Sequence, residues 1–72
     1  MFVRTKSGSI YQITSKDGDL WISKGLMEGR IQSLKYEVGS PLEVKYFKRG
    51  IYGDLSDDIS FIKTTPVVSI EC

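Results

Sequence analysis

Short segments in which apolar and polar residues alternate, separated by turn residues, constrain the fold of this chain more than any other feature. From Leu42 to Lys48, the apolar side chains of Leu42, Val44 and Tyr46 recur at every second position. This period of two is typical of a half-buried β-strand. Clusters of Gly, Pro, Asp and Ser recur at intervals of roughly 8 to 12 residues, as they do in small sandwiches and barrels. The pattern therefore predicts an all-β protein.

The same alternation predicts five or six short strands. The predicted strands cover residues 2–6, 9–14, 20–23, 30–36 and 42–48, with a last strand over 59–71 that is interrupted at Thr65-Pro66. Hairpin turns are expected at Ser7-Gly8 and Asp17-Gly18. Loops are expected over 24–29, where two glycines flank apolar residues, and over 49–58. The spacing in 30–36 also fits a short helical turn.

The predicted fold is all-β, as a small SH3-like barrel or a compact five- to six-stranded antiparallel sandwich. With 72 residues, the chain is expected to form one domain over positions 1–72. We expect Leu42, Val44, Val68 and Ile70 in its core. A domain of this size, without disulfides or a metal, often gains stability by self-association, so we expect a homo-oligomer.

Composition excludes several functions. There is no histidine, and the one cysteine, Cys72, is the last residue. Metal-binding and nucleophilic sites that need His or a second Cys are therefore excluded, and we expect no cofactor and no catalysis. Asp54, Asp57 and Asp58 do not have the spacing of an EF-hand loop and are interpreted as a solvated loop. The 10 basic and 9 acidic residues leave a net charge of +1, which argues against a generic nucleic-acid binder.

No stretch of the chain resembles a membrane helix or a signal peptide. We therefore expect a protein that remains in the cytoplasm and does not act on membranes.

Three segments carry a resemblance to known proteins. They are residues 6–11 (KSGSIY), 38–42 (VGSPL) and 64–71 (TTPVVSIE), in this order along the chain. In these segments the chain is similar to small uncharacterised one-domain proteins of bacteriophages. The resemblance implies a phage or prophage origin and hence the cytoplasm of a bacterial host. It implies no catalytic residues.

Basic residues interleave with aromatic ones along the chain. Aromatic rings can stack on bases, and Arg is the side chain best shaped for bidentate contact with phosphate. Arg30 and Arg49 also adjoin Gly29 and Gly50, where a backbone can approach a ligand closely. The predicted ligand-binding residues are Arg30, Arg49, Tyr52, Trp21, Lys24 and Lys48.

Three functions are compatible with these residues. The first is a non-enzymatic phage-encoded protein that counters host defence by sequestering a small anionic, nucleotide-like signal. The second is an interaction module that binds and inhibits a host protein, for example by strand addition. The third is a small-barrel binder of single-stranded nucleic acid.

Overall fold

The alternating segments form six antiparallel strands in a computed structural model that describes residues 1–72. The strands are β1 (Phe2–Thr5), β2 (Ile10–Lys16), β3 (Asp19–Lys24), β4 (Met27–Lys35), β5 (Pro41–Arg49) and β6 (Leu55–Glu71). Each strand pairs with the next, and β6 pairs with β1 to close a barrel. The predicted all-β class is confirmed, and the chain takes the barrel form. The structure has no helix of the length and apolar character needed to cross a membrane.

Two hairpin turns lie where the turn residues predict them. At the β2–β3 turn, Asp17 and Gly18 have φ values of 54° and 83°. Positive φ at both central positions matches the right-handed twist of the flanking strands, and Asp-Gly is a favoured pair for it. The predicted loop over 24–29 is wrong except at Gly25 and Leu26, because β4 begins at Met27. Residues 30–35 also belong to β4, so the helical turn that the spacing in 30–36 allows is not formed.

Gly29 belongs to a strand because a neighbouring ring needs its space. It lies opposite Lys48 on β5, and a Cβ built on Gly29 would overlap the ring of Tyr46 and closely approach the carbonyl of Phe47. Glycine weakens an isolated strand, but here the aromatic ring packs against its bare backbone. Local composition therefore predicts a bend, whereas packing with β5 stabilises an extended strand.

β6 is a single strand of 17 residues rather than a loop followed by an interrupted strand. The predicted loop over 49–58 is reduced to residues 50–54, since Leu55 already pairs with Arg49. Pro66 does not end the strand, because it lies where β6 changes partner from β5 to β1. Its carbonyl accepts a hydrogen bond of 2.9 Å from the amide of Lys6. A proline can occupy this position because its missing N–H is not needed for the ladder.

The inward-facing side chains fill the barrel. The core consists of Val3, Tyr11, Ile13, Ile22, Leu42, Val44, Tyr46 and Val67. Leu42 and Val44 are fully buried, as predicted, and Ile70 is half-buried and packs against the core. The prediction for Val68 is wrong, because its side chain is 49% exposed. The pairing of β1 with β6 shifts register between Arg4 and Thr5, so Val67 turns inward in its place.

Candidate ligand-binding surface

One row of directly paired residues crosses four strands on the outside of the barrel. Trp21 on β3 lies opposite Arg30 on β4, Arg30 opposite Phe47 on β5, and Phe47 opposite Ile59 on β6. Directly opposed residues of antiparallel strands project on the same side of the sheet. Since Ile22 and the other alternating residues face the core, this row faces outward. We call Trp21, Arg30, Phe47 and Ile59 the central row.

Arg49 joins the central row from β5. Its guanidinium carbon lies 4.5 Å from the centroid of the Trp21 ring. Its Nη1 also forms an ion pair of 2.7 Å with Oε1 of Glu28. Nε of Arg49 and Nε1 of Trp21 are buried without a hydrogen-bond partner. The guanidinium is therefore ordered by an aromatic face on one side and by a carboxylate on another, and its charge is largely compensated.

Arg30 occupies the middle of the central row without such compensation. Its guanidinium carbon lies 5.5 Å from the centroid of the Phe47 ring. The two ion pairs in the structure join Lys35 to Glu43 and Arg49 to Glu28, so Arg30 has no carboxylate partner. An Arg held over a ring retains the donors of its fork for an anion in solution. Arg30 is thus the ordered and uncompensated cation of the central row.

A second row lies beside the central row on the same outer face. Ser33 on β4 lies opposite Lys45 on β5, and Lys45 opposite Phe61 on β6. These three residues line a shallow concavity of about 280 Å³ together with the Lys35–Glu43 pair. Phe61 is 54% exposed. Lys45 has no carboxylate partner, so this row repeats the combination of a free cation and an accessible ring.

The site residues predicted from the sequence do not include Phe47, Lys45, Phe61 or Glu28. A signal for Lys45 and Phe47 was present, because the period of two on β5 places both on the same face as Arg49. No local signal identifies Phe61 or Glu28. Their positions depend on the register of β6 against β5 and of β4 against β5.

The six predicted site residues do not form one cluster. Trp21, Arg30 and Arg49 meet on the outer face. The ammonium group of Lys24 lies 5.4 Å from the centroid of the Tyr11 ring. Lys48 is an exposed residue on the side opposite to Arg49 in the strand alternation. Tyr52, which is 88% exposed, lies in the β5–β6 turn.

The glycines beside the two arginines differ in the space that they leave for a ligand. The space above Gly29 is taken by the ring of Tyr46, so this glycine serves packing rather than approach of a ligand. A Cβ at Gly50 would meet only the carbonyl oxygen of Asp54, at an ordinary contact distance of 3.5 Å. Both arginines lie within strands, where their neighbours on the sheet order them.

A separate surface gathers exposed apolar side chains at the β3–β4 and β5–β6 turns. Leu26 is fully exposed and Ile51 is 92% exposed. Both line an open groove of about 450 Å³ that also includes Met27 and Lys48. This groove contains no pair of groups suited to acid–base chemistry.

The structure contains no group of three acidic or Cys side chains arranged to hold a metal ion. Its four concavities are all open to the surface, and the interior is packed with side chains. In comparisons with known proteins, no family model matches the chain, and no curated protein or solved structure is significantly similar to it. The geometry of the outer face is therefore the basis for assigning a function.

Proposed function

We propose that this protein is a non-catalytic binder of an anionic ligand that carries an aromatic base, with the chemistry of a nucleotide. The binding surface is the outer face of β3 to β6. The observation that carries the proposal is Arg30, which lies between Trp21 and Phe47 in the central row and has no carboxylate partner. The preference of Arg for planar, bidentate contacts with phosphate makes a phosphorylated ligand the best match.

Two features of the face support recognition of a phosphate group. Arg30 is half-buried over Phe47, so less side-chain freedom is lost when it binds an anion. Lys45 lies on β5 two residues before Phe47, which is the partner of Arg30, and it also has no carboxylate partner. Arg49 holds Trp21 in place and does not supply the primary contact with phosphate, because its guanidinium is already paired with Glu28.

Phe61 offers the stacking surface for a base. The ring of Trp21 is covered by Arg49, whereas the side chain of Phe61 is more than half exposed. Base stacking on an aromatic side chain contributes about 1 to 3 kcal/mol. Phe61 lies next to Lys45 across the strands, so a stacked base and its phosphate can be engaged together.

Single-stranded nucleic acid is the second candidate ligand. It is favoured by the open shape of the surface, on which the central row and the Ser33–Lys45–Phe61 row lie side by side without an enclosing wall. Repetition of cations and rings along an open face suits successive nucleotides of a strand. The sequence resemblance implies a phage origin. If the ligand is a small nucleotide, a phage protein that binds it sequesters a nucleotide signal of the host.

The test is titration of the protein with mononucleotides, cyclic dinucleotides and single-stranded oligonucleotides of increasing length. Calorimetry gives the affinity, and the emission of Trp21, the only tryptophan, reports ligand near the central row. If oligonucleotides bind no more tightly than a single nucleotide as their length increases, the result supports the small ligand. Affinity that grows with length supports the single strand.

Arg30→Ala should weaken binding by about 1.5 to 3 kcal/mol, as expected for loss of a hydrogen bond to a charged group. The matched control is Arg4→Ala, which removes an exposed arginine from the outer face of β1. Equal losses in both variants would show a nonspecific charge effect. Absence of binding to every nucleotide and oligonucleotide would contradict the proposal and leave a host protein as the partner class to test.

A further inference from the structure

β6 has a long edge that no strand covers. In its segment from Leu55 to Thr64, residues 55 and 59–63 pair with β5 and none pairs with β1, since closure of the barrel against β1 uses Val67 to Glu71. The opposite edge of this segment is therefore exposed over ten residues, counting 55 through 64. The corresponding uncovered edge of β4, from Ile31 to Lys35, is half as long. Exposed edges of this length are templates for pairing with another strand.

We propose that this edge pairs with the same edge of a second copy of the chain. The pairing is antiparallel, and its two-fold axis passes through Ser60. In this register Ile59 lies opposite the partner's Phe61, and Asp57 comes to the level of the partner's Lys63. The two-fold axis repeats both pairs, so the interface contains two apolar pairs and two pairs of opposite charge.

The faces of the strand are compatible with this register. Ile59, Phe61 and Lys63 all face outward, because they lie opposite Phe47, Lys45 and Glu43 of β5. Asp57 has no partner on β5, and we place it on the same face because it precedes Ile59 by two residues in the strand. A two-fold axis perpendicular to the sheet keeps outward residues on one side, which requires each pair to match two residues of the same face. Ile59 and Phe61 are 48% and 54% exposed, so pairing can bury the side of each that faces the partner strand while the outward face of Phe61 stays accessible to a base. Aromatic and β-branched residues form favourable cross-strand pairs.

The charges select this register against its neighbours. A shift of the axis to Ile59 would place Asp57 opposite the partner's Phe61. A shift to Phe61 would place Lys63 opposite the partner's Ile59. On the outward face, both shifts pair a charge with an apolar side chain, whereas the axis at Ser60 pairs Asp57 with the partner's Lys63. On the other face, the axis at Ser60 brings Asp58 to the level of the partner's Ile62. Charged residues on an edge commonly prevent indiscriminate pairing, and here their order admits one self-pairing.

Dimerisation adds buried surface, and hence stability, to this small domain. The core has eight side chains, and domains of this size commonly require a further source of stability. Pairing through β6 makes one continuous sheet from β5 and β6 of both copies. The central row of one copy, which ends at Ile59, then continues into the partner's Phe61.

A charge-swap experiment tests the proposal on the full chain. Sedimentation velocity of the wild-type protein at micromolar concentrations should show a dimer. Asp57→Lys and Lys63→Asp should each weaken dimerisation about tenfold, because each replaces two attractive pairs by two repulsive ones. The double variant Asp57→Lys/Lys63→Asp should restore it. The matched control is the exposed pair Lys16 and Asp19, which lie opposite each other in the β2–β3 hairpin.

Reversal of Lys16 and Asp19, singly or together, should leave the dimer unchanged. A protein that is monomeric at all concentrations overturns the proposal and leaves the edge open to a different chain. A dimer that is insensitive to the charge reversals at 57 and 63 overturns it as well, because a different surface then forms the contact.

Cross-linking tests the position of the axis. Ser60→Cys in a Cys72→Ser background places two cysteines opposite each other at the axis, within the separation that a disulfide spans. Mild oxidation should give a covalent dimer. Thr14→Cys in the same background, on the exposed face of β2, should not. Cross-linking of both variants at equal rates overturns the assignment of the axis.

Discussion

The guanidinium of Arg49 lies 4.5 Å from the centroid of the Trp21 ring, although the two residues belong to strands that are not neighbours in the sheet. Arg49 on β5 reaches across β4 to β3, and Glu28 on β4 holds it there with an ion pair of 2.7 Å. The contact covers the only tryptophan of the chain. It ties together three strands of the candidate binding face on the outside of the barrel.

Loss of this contact should be measurable in stability and in fluorescence. Arg49→Ala should lower the free energy of unfolding by about 0.5 to 2 kcal/mol, the range for a cation–π contact that is partly desolvated. Trp21 emission should shift to longer wavelength, because its ring becomes more exposed. Glu28→Gln keeps the stacked guanidinium and should change the stability by about 0 to 1 kcal/mol with little spectral change. Unchanged emission in Arg49→Ala would contradict the stacked geometry.

Gly29→Ala should destabilise the barrel by about 1 to 3 kcal/mol, the usual cost of overpacking. The added methyl group would overlap the ring of Tyr46, which is itself confined by the core. Gly50→Ala is the matched control, since a Cβ there meets only an ordinary contact. Urea denaturation of the two variants provides the measurement. A stable Gly29→Ala variant would show that the Tyr46 ring can move away from β4.

Two valines on different strands test the assignment of the core. Val44→Ala should cost about 1 to 3 kcal/mol through lost burial and a residual cavity, because Val44 is fully buried. Val68→Ala removes the same atoms from a side chain that is 49% exposed, and it should change the stability by less than about 0.5 kcal/mol. Thermal unfolding monitored by circular dichroism compares them. Equal losses would indicate that the register shift beside Val68 is absent in solution.

A nucleotide and inorganic pyrophosphate should distinguish base stacking from charge contacts at the candidate binding face. Phe61→Leu should weaken binding of a nucleotide by about 1 to 3 kcal/mol while leaving the weaker binding of inorganic pyrophosphate unchanged, because only the nucleotide has a base to stack. Arg30→Lys should weaken both, since Lys lacks the planar fork of Arg. Calorimetric titration with the two ligands gives the comparison. Equal effects of Phe61→Leu on both ligands would argue against stacking at this position.

The interior face of β5 shows which structural features can be predicted from a short stretch of sequence. Leu42, Val44 and Tyr46 alternate so regularly that the strand and its buried face follow from the order of residues alone. The turn at Asp17-Gly18 is equally local, because its backbone conformation suits these two residues. The all-β class and the identity of Arg30, Arg49 and Trp21 as residues of interest could be predicted from this information.

The remaining features depend on pairings between distant segments. The predicted loop over 49–58 is largely strand because Leu55 finds a partner in Arg49, and Gly29 lies in a strand because Tyr46 fills its space. Val67 rather than Val68 enters the core because the register against β1 shifts at Arg4. Such shifts exchange the buried and exposed faces of a strand without changing its sequence pattern.

The sequence by itself determined the regularly alternating strands, the turn at Asp17-Gly18 and the types of side chain that the strands carry, because period, turn chemistry and side-chain type are local properties. The tertiary structure decided which of those side chains meet. The register of β3, β4 and β5 brings Trp21, Arg30 and Arg49 to one face, with Lys24, Lys48 and Tyr52 elsewhere. The physical reason is that cross-strand neighbours are set by hydrogen-bond register between distant segments, which no short stretch of sequence encodes.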